Sequence, residues 1–445
     1  MELFLFHLRA LAFHLIKNSL SLENSKISSA MKQFLTLTTR PIFVLATALL
    51  FVWPAFATDA DIEKTTTAES EPSYHIAHGP YLQALSYDGV IISFTTSHNG
   101  FSAVELRRKG EEQIRTCRTV EHGLFMANNT HNVIEIGELE PATAYEYRIV
   151  SKQMLSFEPY RVRFGEQVKS PWYEFRTFDP KATEFSFVMA NDIHDNADKC
   201  DKLLAAAQVD KADMVFYNGD IMSHFSKPGQ PFASFLDVSV KHFATSKPFA
   251  VVRGNHETRG QFARSYDQYI RNNPQRTYYG VYYFGDTAIV MLDCGEDKDD
   301  AHPVYAGLVD FDNYRREQAK WLEQVVNSKD FRKSKHRIVM CHIPPTDKRM
   351  GEVEKNRKRV SDLLTWRGNV HLAEVMLPIL NKADIEVMLS AHLHNFYLFP
   401  KQKGVVEFPI IANDNVSAMQ VRCSAEGIDI KIVDMQGKST FEQRF

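Results

Sequence analysis

Five short stretches rich in metal-ligand residues constrain this chain more than any other feature. They are Asn191-Asp192-Ile193-His194, Asn218-Gly219-Asp220, Gly254-Asn255-His256-Glu257, Cys341-His342 and Ala391-His392-Leu393-His394. Each follows an apolar run with the character of a buried strand, over 185–190, 214–217, 249–252, 336–340 and 385–389. Ligands in open α/β sheets collect beyond the carboxyl ends of the strands, and every candidate here stands a few residues past such an end. Side chains on separate strands of one sheet can therefore converge on one rim.

The pattern around these runs sets the architecture. Continuous apolar strands alternate with helical segments expected over 197–209, 232–243 and 314–326, which indicates a layered α/β domain covered on both sides. The region 74–179 reads differently. Its short runs over 90–95, 102–107, 132–136 and 145–150 are separated by turn residues at the spacing of a β-sandwich. The chain thus divides into an N-terminal β-sandwich domain at 74–179 and a catalytic domain at 183–445, a layered β-sandwich flanked by helices.

Residues 1–57 form a signal-peptide region. An apolar run from Ile42 to Trp53 follows Lys32 and Arg40 and ends at Ala55-Phe56-Ala57, the order of a secretory leader and its cleavage site. Cleavage near Ala57 leaves a secreted or periplasmic protein with a polar linker at 58–73 and no stable membrane anchor. The stretch before Met31 is atypical of a leader, so Met31 competes with Met1 as the start. A net charge of −3 over 445 residues gives no basic footprint for a nucleic-acid partner. The five cysteines lack paired spacing and make no disulfide framework.

The donor types carry the chemistry. Imidazole and carboxylate suit Fe, Zn or Mn. One carboxylate, Asp220, can bridge two ions, and two close ions serve phosphoryl chemistry. Taken singly each motif is weak: Asp-x-His arises by chance and Gly-Asp is usually a turn. All five, in order and each at a strand end, favour the functional reading.

The set resembles the calcineurin-like metallophosphoesterases. The N-terminal part, from Gly79-Pro80-Tyr81-Leu82-Gln83 to Leu139-Glu140-Pro141-Ala142-Thr143-Ala144-Tyr145, is similar to the fibronectin-III-like domain of purple acid phosphatases. The resemblance implies one metal on Asp192, His194, Asp220 and His394, and a second on Asp220, Asn255, His342 and His392. It implies that His256 assists the leaving group and that Glu257 orients His256 or a ligand. It implies hydrolysis of a phosphoester substrate by a metal-bound hydroxide. His194 and Ser223 depart from the purple members; Ser223 stands where those carry a metal-binding Tyr, so a colourless relative is expected. A phosphodiesterase or nucleotide hydrolase on the same site is one rival. A surface-binding protein with a vestigial site is the other.

Overall fold

A single strand, Val90–Arg108, is long enough to serve two sheets, and the N-terminal region is organised around it. The strands there are β1 (Ile76–Gln83), β2 (Val90–Arg108), β3 (Arg115–Cys117), β4 (Val120–Glu121), β5 (Leu124–Phe125), β6 (Asn129–Ile136), β7 (Ala144–Glu158), β8 (Arg161–Lys169) and β9 (Tyr173–Arg176). The first half of β2 lies between β1 and β6, with Ile92 paired to Leu82 on one side and Ile134 on the other. Its second half pairs with β3 and β7, and β7 carries β9. The two groups share one core. Leu82, Ile92, Phe94 and Ile134 come from the first, and Val104, Leu106, Tyr147 and Phe175 from the second. This is a β-sandwich. Near the start of β7 the Tyr145 hydroxyl accepts the backbone N–H of Glu140 at 2.9 Å, a tyrosine corner of the kind such sandwiches use.

The structure, a computed structural model, describes residues 73–345 and 366–445. The expected leader through Ala57, the alternative start at Met31 and nearly all of the 58–73 linker lie outside the described residues. Among the described residues no helix is long and apolar enough to cross a membrane. All five cysteines are buried and free.

From residue 185 the strands become continuous apolar runs. β10 (Phe185–Ala190), β11 (Met214–Asn218) and β12 (Phe249–Val252) are parallel neighbours. β13 (Gly280–Phe284), β14 (Thr287–Leu292), β15 (His336–Cys341), β16 (Val387–Ser390), β17 (Tyr397–Phe399) and β18 (Ile410–Ala412) form a second sheet in the order β13-β14-β15-β16-β18-β17. β19 (Ser417–Ser424), β20 (Gly427–Asp434) and β21 (Ser439–Arg444) extend the first sheet beyond β10.

The sheets stack through Phe187, Met189, Phe216 and Val252 on one side and Ile289, Met340, Leu389 and Ile411 on the other. Helix α1 (Ala197–Ala206) and the helical run Phe232–Leu236, Asp237–Ser239, Val240–Ala244 cover the outer face of the first sheet. α2 (Phe311–Asn327) and α3 (Arg367–Leu380) cover that of the second. The result is the expected sandwich of sheets flanked by helices. Among the described residues, α3 and the short helix Lys329–Lys333 lack a counterpart among the helices read from sequence; α3 is the longer. Gly368 near its start and Pro378 near its end are poor helix formers that mask its apolar stripe.

The N-terminal sandwich is joined to the catalytic sheet through β1, which runs parallel to β12 where Gln83 meets Phe249. Adjacent residues of β1 serve different cores: Tyr81 packs with the catalytic helices, Leu82 with the sandwich. The Tyr81 hydroxyl donates to the Tyr269 carbonyl at 3.1 Å, and the Tyr147 hydroxyl to that of Thr245 at 2.8 Å. These contacts lie behind the first sheet. Among the described residues, the bonds that hold the site residues come from residues after 190.

Tyr145→Phe removes the corner hydroxyl at a buried position and leaves the Glu140 N–H without its acceptor. A loss of about 1–2 kcal/mol is expected, read as a lower urea midpoint at constant slope. An unchanged midpoint would mean that water replaces the hydroxyl.

Candidate metal centre

The carboxyl ends of β10, β11, β12, β15 and β16 open on one rim, and the loops beyond them are laced together by their backbones. The Asp192 N–H donates to the Gly219 carbonyl and the His194 N–H to that of Asp220, both at 3.0 Å. The Ala391 N–H donates to the His342 carbonyl at 2.9 Å, which ties the two β-to-loop crossings of the second sheet. Five of the expected ligands hold left-handed backbone: Asp192 (φ 50°), His194 (53°), Asp220 (54°), His392 (68°) and His394 (55°). Such conformations cost about 1–3 kcal/mol each for residues with a Cβ. They turn consecutive side chains to one side within very short loops. Gly219, at φ 78°, has no alternative: a Cβ there would collide with the His342 ring and the backbone of Gly254.

The side chains gather in three overlapping groups. Asp192, His194 and His394 form one, Asp220, His342 and His392 another, and His194, Asp220 and His256 link them; in each, the ligand atoms lie within 4.8 Å of one another. His394 Nε2 is 3.0 Å from Asp192 Oδ1 and 3.1 Å from His194 Nε2. His342 Nε2 is 3.0 Å from Asp220 Oδ2. Asn255 is buried beside them, and neither its Oδ1 nor its Nδ2 has a hydrogen-bond partner. Asp192 Oδ1 and His342 Nε2 are likewise buried without one. Unsatisfied polar atoms of this kind are costly, and Asp192 Oδ1 and His342 Nε2 each lie 3.0 Å from another member of these groups, at His394 and Asp220. The donor set therefore fits a dinuclear metal centre.

The outer atoms of the same residues are spoken for. His342 Nδ1 lies 2.7 Å from the Asn218 carbonyl, to which it donates, so Nε2 is its free nitrogen. Asp192 Oδ2 accepts from Asn191 Nδ2 at 2.8 Å and from the His392 N–H at 3.1 Å. Asn191 is held in turn by Asn413, whose Nδ2 donates to Asn191 Oδ1 at 2.9 Å. Glu257 is fully buried. Its carboxylate accepts the N–H groups of Asp220 (2.9 Å), Ile221 (2.7 Å), Met222 (3.1 Å) and Gly254 (2.9 Å). Of the two roles expected for Glu257, the geometry gives orientation of a ligand, through the Asp220 loop.

Charge follows from this packing. Burial raises the carboxyls of Asp192 and Asp220, but the imidazoles beside them outweigh it. His194 and His394 hold Asp192 well below the usual carboxylate range, and His342 brings Asp220 to about 2. His342 moves the other way: burial lowers it, Asp220 more than compensates, and it rises to about 10. A cation in this position takes the place of the imidazole proton as the partner of Asp220.

His256 stands apart from the ligands although it shares a cluster with His194 and Asp220. Its Nδ1 donates to the Ser223 carbonyl at 2.7 Å, and its Nε2 accepts from Arg259 Nη1 at 3.2 Å. Both nitrogens are engaged, in keeping with a residue that is not a ligand.

Glu296 and Asp297 open a run of five charged residues, Glu296-Asp297-Lys298-Asp299-Asp300, yet both are buried. Glu296 and Asp297 are 1% and 4% exposed. Glu296 clasps Arg259 with two bonds of 2.7 Å, and Arg315, itself buried, donates to the carbonyls of Cys294 and Glu296. Neither Arg259 nor Asn191 and Asn413 stood out as holding the site in sequence. Arg259 carried one signal, its place three residues after His256.

Residues 185–396 match the family model described as calcineurin-like phosphoesterase. The chain thus carries a metallophosphoesterase domain, the domain of a phosphoester hydrolase, and its fold is similar to that of the purple acid phosphatases. The purple acid phosphatase PPD1 from yellow lupin (Lupinus luteus) seeds superposes with a TM-score of 0.60 at 11% identity, covering 82% of this chain and 73% of that one. PhoD superposes with a TM-score of 0.53 at 13% identity, covering 83% and 90%. At these identities the likeness is one of fold. No curated protein matches the sequence.

Gly219→Ala is expected to lower metal affinity by at least the 10–100-fold typical of lost supporting contacts, because its Cβ displaces the His342 ring. Metal content by mass spectrometry, with circular dichroism to confirm folding, checks this. Full metal content would show that the ring has room to move.

Proposed function

We propose that this chain is a secreted or periplasmic phosphatase that hydrolyses small phosphoesters at a dinuclear centre. The observation that carries the reading is the three overlapping donor groups, two of which share Asp220, with buried donor atoms of Asp192, Asn255 and His342 left unsatisfied. Asp192, His194, Asp220 and His394 would hold one ion, and Asp220, Asn255, His342 and His392 the other. Fe, Zn and Mn all suit these donors. Two such ions supply Lewis-acid charge and lower the pKa of a bound water, making a nucleophile at neutral pH.

The chain's own residues do the rest. The carboxylates of Asp192 and Asp220 balance positive charge at the rim. Glu257 fixes the Asp220 loop, so the donors need no rearrangement as charge develops. His256, outside the proposed ligand set and held at Nδ1 by Ser223, would assist departure of the leaving group. Ser223 offers no tyrosinate, so an iron-loaded protein is expected to be colourless. The N-terminal sandwich, with its tyrosine corner, supports a fibronectin-III-like module that braces the sheet rather than the substrate. The leader ending near Ala57 supports export.

The test uses the mature chain from about Thr58, assayed for metal content and for p-nitrophenyl phosphate turnover before and after chelation. About two equivalents of metal, with turnover lost on chelation and restored by Mn, Fe or Zn, are expected. Asp192→Asn and Asp220→Asn should lose both properties. His256→Ala should keep the metal and lose rate, because His256 lies outside the proposed ligand set. A metal-free protein that no added ion activates would overturn the proposal and favour a binding protein. Faster turnover of bis-p-nitrophenyl phosphate would assign the site to diesters.

A further inference from the structure

Arg259 lies one turn past His256, after the short 3₁₀ segment His256–Thr258, and its guanidinium is clamped. Nε and Nη2 donate to the two carboxylate oxygens of Glu296, each at 2.7 Å, the bidentate geometry that best fixes an arginine. The Tyr305 hydroxyl donates to Glu296 Oε2 at 2.9 Å and the Thr258 hydroxyl to Oε1 at 3.0 Å. The Glu296 backbone is held as well. Arg315 donates to its carbonyl, and Gly368 packs so close that a Cβ would strike the carbonyls of Glu296 and Lys298. Nothing in this arrangement is a metal donor, yet it ends on Arg259 Nη1, 3.2 Å from His256 Nε2.

That contact has a chemical consequence. Arginine only donates, so His256 Nε2 must accept, and its ring proton sits on Nδ1, bonded to Ser223. A histidine held in this way assists a leaving group by holding the guanidinium in place, not by giving up an Nε2 proton. The guanidinium has five N–H groups. Three are used on Glu296 and His256, and Asp297 Oδ1, at 3.6 Å from Nη2, is beyond hydrogen-bond distance. Arg259 keeps unspent donors at the edge of the centre, with its side chain 32% exposed.

We propose that Arg259 is a catalytic residue that contacts the phosphoester directly, and that Glu296 is its positioning residue. This rests on the phosphoesterase reading above. In the reaction the P–O bond to the alcohol breaks as a P–O bond to the attacking water oxygen forms. The electron pair of the broken bond stays on the leaving oxygen, where an Arg259 N–H meets the growing charge without transferring its proton. The alkoxide takes its proton from solvent, and the water's displaced proton leaves to solvent. The Arg259–Glu296 pair is neutral overall, but its N–H dipoles are fixed in advance, which is what stabilises developing charge.

The experiment measures kcat/KM for a series of phosphate monoesters whose leaving alcohols span a wide range of pKa. It compares the wild-type chain with Arg259→Lys and with the double variant Arg259→Met, Glu296→Gln. The double variant avoids an unpaired buried carboxylate, which would itself unfold the site. All proteins are checked for bound metal. The expected result is full metal content in both variants. Turnover of alkyl phosphates should fall about 10²–10³-fold in the double variant, with a much smaller fall for p-nitrophenyl phosphate. The plot of log kcat/KM against leaving-group pKa then steepens, and Arg259→Lys recovers part of the loss. An unchanged slope, or loss of metal from both variants, would overturn the role given to Arg259. Turnover by the wild-type chain with such a result would sink this inference alone. No turnover by the metal-loaded wild type would sink the phosphoesterase reading, and the inference with it.

Discussion

One buried carboxylate gathers the site. Glu257 accepts four backbone N–H groups, three from the loop after β11 and one from the loop after β12. The two loops carry Asp220, where the donor clusters meet, and Asn255, so their separation is set by the width of one carboxylate. Burial, with Asp220 nearby, pushes the Glu257 carboxyl up to about 7, against the pull of those N–H groups. Each of its two oxygens accepts two of these N–H groups. Gly254 makes it possible, since a Cβ at that position would fall on Asp220 and Glu257.

A second layer repeats this logic on the other side of the rim. Asn413, from the loop after β18, holds Asn191; Asn191 holds one oxygen of Asp192 and leaves the other free. Asp195 accepts from the Ser223 N–H at 2.9 Å, from Gln230 at 2.9 Å and from Ser234 at 2.6 Å. It thus fixes the peptide whose carbonyl anchors His256. Both sheets take part, and the sandwich contributes at one remove. Through β1 it pairs with β12, the strand from which Asn255 and His256 emerge.

The sheets and the rim of candidate donors were legible in the sequence because both depend on local pattern. A buried parallel strand is an unbroken apolar run, and a donor at its carboxyl end follows within a few residues, so Asp192, His194, Asp220, Asn255, His342, His392 and His394 could be assigned to one rim without knowing the contacts. What holds them was not legible. Glu296 sits in a run of charges that looks solvated, and only the tertiary structure brings Arg259 and Arg315 to it from 37 and 19 residues away. Asn413 reaches Asn191 across 222 residues. Helix α3 was hidden by Gly368 and Pro378. The first of these is required by the close approach of the Glu296 loop, not by the helix.

The left-handed backbone at Asp192, His194, Asp220, His392 and His394 means that the site's shape is written into the main chain. A chain shaped only by thermodynamic stability would fill such positions with Gly or Asn, which relieve the strain. Their occupation by Asp and His marks a standing sacrifice of fold stability, borne by the two apolar cores on either side. Drift toward relaxed residues at these five places would leave a sturdier protein with no reaction to catalyse.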